Sequence, residues 1–331
     1  MKGYKGFEKG MVCRDKQYAE NTVFEEENAV ICESGIHFCE NPMDVLDFYP
    51  ILDDNCDFNE FAEVESLDKA HTDGNRKYCT KKIKIGAKLS ISNFIKACVE
   101  FVIDKTSLEV DEKSSGNCAK ICSSGDGANI GSLGNWANIG SSGDGANIGS
   151  SGDGANIGSS GDGANIGSLG NWAKIGSLGN WAKIGSSGYR ANIGSLGNYA
   201  QIGSSGDGAN IGSSGNCAKI CSSGNCAKIC SSGYRAKIGS LGNWANIGSS
   251  GNCAKICSSG EDSVICCAGN NSIVKAKKGS WITLAEWKLD EERQRWIPVC
   301  VKTEFVDGER IKENTWYKLE NGEFVENSNG E

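Results

Sequence analysis

The central part of the chain repeats one pattern of small, apolar and polar residues every nine positions. Each copy has alanine at position 1, isoleucine at position 3, serine at position 5 and glycine at position 7. Sixteen good copies run from Ala119 to the copy that begins at Ala254, and a degenerate copy follows at Ser263. Because the uniform residues alternate with variable ones, as on a strand with one buried face, each copy is predicted to be a β-strand followed by a turn.

The short, regular period indicates a solenoid, in which each unit buries its apolar side only by stacking on its neighbours. A glycine in every copy argues against helix, since each would cost about 1 kcal/mol relative to alanine. Nine extended residues span only about 30 Å, which is too short to close around a core of isoleucines. We therefore predict a mainly β protein with a parallel β-solenoid, two repeats per turn, alanine and isoleucine inside, and alternate copies on opposite faces.

The nine-residue period covers residues 114–271, and the sequences on either side predict separate units. Residues 1–113 indicate an α+β domain, and residues 272–331 indicate a β-rich cap with four tryptophans. A cap is expected because the end of a solenoid exposes unpaired backbone and an open core. Dimerisation through this cap is the alternative, and it would make the protein a homo-oligomer.

The N-terminal domain is predicted to contain two strands and two helices. The stretches at 29–39 and 61–66 have the character of strands. A short helix is expected to begin after Asn41, and a longer one is expected to be capped by Ser92.

Charge and composition exclude several classes of partner. The net charge is −8, but residues 114–271 hold nine Lys or Arg against seven Asp or Glu. The repeats therefore offer neither the basic stripe of a nucleic-acid binder nor the dense acidity of a DNA mimic. Without an apolar run long enough to span a membrane or to form a signal sequence, the protein is expected in the cytoplasm.

The 17 cysteines are expected to be free thiols in a reducing compartment. Repeat pairs such as Cys217 and Cys221 are four residues apart, which on a strand separates them by about 13 Å and excludes a disulfide between them. The spacing also lacks the Cys-x-x-Cys pattern of zinc sites. The preferred interpretation is that the repeat cysteines are small apolar residues packed in stacked ladders. Metal binding or oxidative pairing of these cysteines is the alternative. Neither a metal nor a cofactor is predicted.

Aspartate and asparagine often occupy position 8 of the repeat, as at Asp144 and Asn198. The calcium β-roll has a nine-residue unit too, but its aspartate recurs in every copy. Here aspartate alternates with asparagine, so we expect both residues to be present because they tolerate left-handed backbone in a turn. Calcium binding is the less favoured interpretation.

Leucine at position 6 occurs together with an aromatic residue at position 9, as in Leu178 with Trp181. The preferred interpretation is a hydrophobic clasp over the turn. In the alternative, the rings stack on a planar ligand. Two copies per turn would make Trp181 and Tyr199 vertical neighbours and would place Trp172 beside Arg190, so these four are the candidate ligand-binding residues.

A family resemblance rests on residues 4–7, 35–49 and 61–66, which read "YKGF", "GIHFCENPMDVLDFY" and "FAEVES", followed by the long repeat array. This combination resembles a family of uncharacterised phage and prophage proteins. The resemblance implies an accessory protein in a bacterial cytoplasm, with obstruction of host defence as one hypothesis for its role, but it implies no chemistry.

The same N-terminal stretches are similar to the strand-helix-strand segment of ADP-ribosyltransferase-like folds. That similarity implies Glu63 and Glu65 as a Glu-x-Glu catalytic pair, with His37 as the third alternative catalytic residue. No Ser-Thr-Ser stretch accompanies them, and a packed core histidine is the preferred interpretation of His37. We therefore expect a non-enzymatic protein that binds a host macromolecule or a small ligand, with the enzyme and a purely structural rod as alternatives.

Overall fold

The computed structural model describes residues 1–72, 74, 76–108, 112–114 and 116–327. It confirms a mainly β protein with an N-terminal α+β unit, a parallel β-solenoid and β-hairpins at the C-terminal end. The domain boundaries at 113/114 and 271/272 stay predictions.

The N-terminal unit is built on a seven-stranded antiparallel sheet with the order β4-β9-β6-β1-β5-β8-β7. Its elements are β1 (Lys2–Phe7), β2 (Val12–Cys13), β3 (Lys16–Gln17), β4 (Val23–Glu25), β5 (Ile36–Cys39), α1 (Pro42–Val45), β6 (Glu60–Ser66), β7 (His71–Thr72), β8 (Lys77–Thr80), β9 (Lys82–Leu89) and α2 (Ile91–Leu108).

Both predicted helices are present, but one predicted cap is wrong. Asn41 caps α1, because its Oδ1 accepts a hydrogen bond from the backbone N–H of Met43 at 2.9 Å. The longer helix begins at Ile91, so Ser92 lies inside it. The cap is Ser90, whose Oγ accepts from the N–H of Asn93 at 3.2 Å. Three serines or asparagines within four residues offered competing caps, and only the turn geometry selects one.

In the solenoid, positions 2 to 5 of each copy form a strand. In chain order the strands are β10 (Glu112–Ser114), β11 (Lys120–Ser123), β12 (Asn129–Ser132), β13 (Asn138–Ser141), β14 (Asn147–Ser150), β15 (Asn156–Ser159), β16 (Asn165–Ser168), β17 (Lys174–Ser177), β18 (Lys183–Ser186), β19 (Asn192–Ser195), β20 (Gln201–Ser204), β21 (Asn210–Ser213), β22 (Lys219–Ser222), β23 (Lys228–Ser231), β24 (Lys237–Ser240), β25 (Asn246–Ser249), β26 (Lys255–Ser258), β27 (Val264–Cys267) and β28 (Ile273–Ala276).

Each solenoid strand pairs in parallel with the strand two copies later, so a full turn takes 18 residues. Ile130 lies beside Ile148, for example, and Ile139 beside Ile157. The even-numbered strands form one sheet and the odd-numbered strands the other. Alanine at position 1, isoleucine at position 3 and serine at position 5 fill the space between the sheets. The predicted arrangement of two repeats per turn is confirmed.

Glycine at position 7 is required by the close approach of successive coils. A β-carbon on Gly197 would lie 1.9 Å from the carbonyl oxygen of Gly179, one coil earlier, and the same clash recurs along both edges. No side chain fits at that distance, so position 7 is glycine in every copy.

The predicted left-handed backbone at position 8 is wrong, because positions 8 and 9 have different roles in the turn. The left-handed residue is position 9, as at Trp181 with φ 53°. The position 8 side chain instead accepts a backbone hydrogen bond from the next coil, as when Asp126 Oδ1 accepts from the N–H of Asp144 at 3.0 Å. Aspartate and asparagine alternate there because both supply this oxygen, whereas Tyr189 only donates its N–H, to Asn171 Oδ1.

The C-terminal segment closes the end of the solenoid. Strands β29 (Trp281–Asp290) and β30 (Arg295–Phe305) extend the odd-numbered sheet, whereas β31 (Trp316–Glu320) and β32 (Glu323–Glu326) extend the even-numbered one. Buried Val306, Ile311 and Tyr317 join the solenoid core at this end. The hairpins therefore cover the last isoleucines, as a cap must.

Candidate binding surfaces

The outer surface of the even-numbered sheet, here called the covered face, is occupied by the N-terminal unit. Helix α2 lies across β12, β14, β16, β18 and β20. Its side chains rest on the bare backbone of the glycines at position 4. A β-carbon on Gly185 would lie 2.8 Å from Cγ2 of Val99, and one on Gly203 would lie 3.0 Å from Ile95. Glycine thus permits a close helix-to-sheet approach.

Further along the covered face, an acidic segment of residues 44–57 replaces the helix. The lysines at position 2 of the repeat pair with it. Lys183 Nζ lies 2.7 Å from Asp47, and Lys237 Nζ lies 2.6 Å from Asp54. Lys275, at position 4 of the last copy, adds a third ion pair, with its Nζ 3.1 Å from Asp57. The copy of Lys183 therefore meets both α2 and the acidic segment, whereas the later lysine copies meet the acidic segment.

The outer surface of the odd-numbered sheet, here called the open face, carries the same glycine row without a cover. A β-carbon on Gly158, Gly176, Gly194 or Gly212 would meet no atom within 4 Å. Asparagine and lysine of position 2 line one side of this row, and serine and leucine of position 6 line the other. The result is a long, shallow groove with an apolar floor.

Two of the predicted ligand-binding residues stack on each other at the edge where the chain passes from the open face to the covered face. The rings of Trp181 and Tyr199 have centroids 5.9 Å apart and planes within 8° of parallel. Both side chains are more than half exposed, at 57% and 52%. Leu178 and Leu196, which accompany them in sequence, are each 62% exposed. All four side chains are more than half exposed, so the leucines do not bury the rings.

The other predicted pair lies on the opposite edge, where Trp172 and Arg190 occupy successive coils. The ring beneath the Arg190 guanidinium is that of Tyr189, with 5.0 Å between the guanidinium carbon and the ring centroid. Trp172 remains 48% exposed. Ligand binding by any of these residues stays a prediction.

The three alternative catalytic residues do not share one cavity. His37 lines a cavity of about 590 Å³ together with Lys5, Cys13 and Tyr49, among others, but neither Glu63 nor Glu65 contributes to its lining. Both glutamates are exposed on β6. His37 is half-buried, and its Nε2 accepts the N–H of Cys32 at 2.9 Å. Burial, with the nearby charge of Lys77, lowers the pKa of His37 to about 4.

The cysteines divide into outward and buried groups. All 17 are free thiols. Cys221 and Cys257, at position 4 of covered-face copies, are buried against the N-terminal unit, and burial raises the pKa of each thiol. Within the part of the chain that the structure describes, no group of three or more His, Cys, Asp or Glu side chains is close enough to hold a metal ion.

Sequence reasoning missed the role of the position 2 lysines on the even-numbered strands. Lys183, Lys219, Lys237 and Lys255 recur at multiples of 18 residues, which is the signal that they share one face. Counting the charges of the whole solenoid together conceals these lysines, because the total is close to neutral. Among the described helices, none has the length and apolar character needed to cross a membrane.

Comparison with known proteins gives one match. Residues 1–97 match a family model described as a domain of unknown function, DUF7666. No curated protein and no solved structure matches the chain. The match ends inside α2 and stops before the repeats, so it covers most of the unit that lies on the covered face.

Proposed function

We propose that this protein is a non-enzymatic binding protein that docks an acidic partner protein on the open face. The proposal rests on the difference between two chemically similar faces of the solenoid. The N-terminal unit of the chain covers one face, and the other face is bare. The covered face supplies a template for the partner. Apolar side chains rest on the glycine row, and carboxylates meet the position 2 lysines.

The charges of the open face favour an acidic partner over a second copy of the chain. Lys120, Lys174 and Lys228 recur every third coil, about 14 Å apart. Positions 2, 4 and 6 of the open-face copies contain no carboxylate. Two open faces pressed together would therefore oppose like charges, whereas an acidic segment would pair with each lysine.

Exposed Leu178 and Leu196, which line the groove, give the same surface an apolar anchor. Burial of such apolar side chains is the main favourable contribution to most protein–protein association. The resemblance to phage and prophage proteins directs the search to bacterial host proteins in the cytoplasm. Obstruction of host defence is the hypothesised outcome of such binding.

Site-specific photo-crosslinking tests this proposal. A photoreactive amino acid replaces Gly194, where a β-carbon meets nothing, and the tagged protein is irradiated in host lysate. We expect a discrete crosslinked partner that is lost on Lys174→Glu. A matched probe at exposed Lys69, on the N-terminal unit, should not capture it.

Three results would contradict the proposal. Equal capture at positions 69 and 194 would show non-specific contact, and an absence of capture at 194 would favour a purely structural rod. Release of nicotinamide from NAD in lysate, abolished by Glu65→Gln, would favour the transferase alternative.

A further inference from the structure

A second site, separate from the open face, lies where the covered face meets the C-terminal hairpins. It is a cleft of about 1180 Å³ between the solenoid edge, the acidic segment and strands β29 and β31. We call it the basic cleft. Its cationic lining residues are Lys219, Arg235, Lys237, Lys255, Lys288 and Lys318.

The cations of the basic cleft outnumber its carboxylates by six to three, the carboxylates being Asp54, Glu286 and Glu320. Those three already have partners. Asp54 lies 2.6 Å from Lys237, and Glu320 lies 2.9 Å from Lys318. Glu286 accepts the N–H of Gly322 at 2.8 Å. The lining therefore carries an excess positive charge of about three that it does not neutralise itself.

Three cations of the lining have no carboxylate partner within salt-bridge distance in the described part of the chain, namely Lys219, Lys255 and Arg235. Lys255 Nζ donates to the backbone carbonyl of Asp54 at 3.1 Å, which leaves Lys219 and Arg235 as the candidates for binding an anion. Lys219 stands one coil below Lys237, about 4.8 Å away along the sheet. Burial and the charge of Lys237 lower the pKa of Lys219. An anion between these groups would relieve the repulsion that crowds them.

The mouth of the basic cleft also presents an aromatic surface. Tyr199 lines it, and Trp181 supports one face of that ring from the previous coil. The following coil has Cys217 at the same position, so no aromatic residue covers the other face. Trp287 lines the far side, where its Nε1 donates to the carbonyl of Ala268 at 2.9 Å and fixes the indole.

From this juxtaposition of unpaired cations and a supported ring, we propose that the basic cleft binds a nucleoside polyphosphate. Lys219 and Arg235 contact the phosphates, because ammonium and guanidinium groups are the usual partners of phosphate oxygens. Tyr199 stacks on the base, since any base offers a planar face to an aromatic ring. The ligand is independent of the proposed partner on the open face.

Isothermal titration calorimetry of the full-length protein with three probes tests the assignment. We expect ATP to bind with a dissociation constant below about 100 µM, inorganic tripolyphosphate to bind at least tenfold more weakly, and adenosine weaker still. The ATP affinity should fall as salt rises, because exposed charges are screened. Tripolyphosphate binding as tightly as ATP would overturn the nucleoside part of the proposal.

Substitutions locate the ligand within the basic cleft. Lys219→Gln and Arg235→Gln should each weaken ATP about tenfold, with Lys219→Arg retaining most of the affinity. Tyr199→Ala should weaken ATP but leave tripolyphosphate unchanged. The matched control is Lys228→Gln, which removes a position 2 lysine from the open face.

Two outcomes overturn the site. One is the absence of saturable ATP binding to the unmodified protein, and the other is an equal loss in Lys228→Gln and Lys219→Gln. Unchanged thermal melting of the variants excludes misfolding as the cause of any loss. Since photo-crosslinking at Gly194 is a separate readout, failure of this proposal and failure of the open-face proposal are distinguishable.

Discussion

The covered and open faces of the solenoid are made from the same repeat, yet they differ in what lies on them. Both present a glycine row at position 4 with asparagine or lysine at position 2. On the covered face, Val99, Ile95 and Phe58 rest on that row. On the open face, a β-carbon on Gly176 or Gly194 would meet no atom within 4 Å. The same repeat therefore builds two similar outer surfaces, of which the N-terminal unit covers only one.

The largest effect is expected where the two faces do not differ, at glycine of position 7. Gly188→Ala belongs to a covered-face copy and Gly197→Ala to an open-face copy. In both, the new β-carbon would lie 1.9 Å from a carbonyl oxygen of the previous coil. We expect each to lose about 4 kcal/mol or more of unfolding free energy in urea titrations. A loss in only one of them would show that the faces differ in their scaffold as well as in their cover.

The next comparison uses position 4, where the faces should diverge. Gly239→Leu on the covered face places a β-carbon 2.7 Å from the Phe58 ring and 3.0 Å from Leu52. We expect it to destabilise the protein by about 2 kcal/mol, within the usual range for overpacking. Its open-face counterpart Gly212→Leu has free space and should change the free energy of unfolding by less than about 0.5 kcal/mol. Equal effects would contradict the assignment of covered and open faces.

Much of this fold could be predicted because a strict repeat fixes its own register. Because each copy stacks on a similar copy, its alanine and isoleucine side chains can be buried only in the interior of the solenoid. Nine residues are too short to enclose that interior, so each turn needs two copies. The cover could not be predicted, because the position 4 glycines at 167 and 194 both lie in the sequence ANIGSLGN. What distinguishes them is the distant segment of α2 around Val99.

The candidate sites show a similar limit. The 18-residue period was sufficient to place Trp181 over Tyr199. It did not reveal the basic cleft, because the count of nine basic and seven acidic residues averages over the whole solenoid. Stacking concentrates Lys219, Lys237 and Lys255 on three successive coils of one sheet. The acidic segment that meets them comes from more than 160 residues earlier in the chain.

Position 2 lysines provide a smaller contrast between the faces. Lys183 is buried beside Asp44 and Asp47, while Lys174 lies on the open face. Lys183→Met removes the cation that holds down the pKa of Asp44, which burial raises. We expect a loss of about 1 to 2 kcal/mol, since Asp47 is partly exposed and screened. Lys174→Met should be neutral in the same urea titration, and equal losses would argue against the pairing.

The smallest effect is expected at the aromatic edge, and it decides between the clasp and the open ring. If Trp181 were a buried clasp, Trp181→Ala would remove a packed indole and cost about 3 kcal/mol or more. The side chain is instead 57% exposed, and its backbone has φ 53°, a conformation that glycine adopts without steric cost. We therefore expect Trp181→Ala to cost less than about 1 kcal/mol of unfolding free energy and Trp181→Gly to be neutral or slightly stabilising.

The leucines of position 6 give a matched comparison between a packed and an exposed side chain. Leu241 belongs to a covered-face copy and packs against the N-terminal unit, so Leu241→Ala should cost more than Leu196→Ala. Thermal melting of the four variants measures the order, and a Trp181→Gly protein less stable than Trp181→Ala would restore the clasp as the role of the ring.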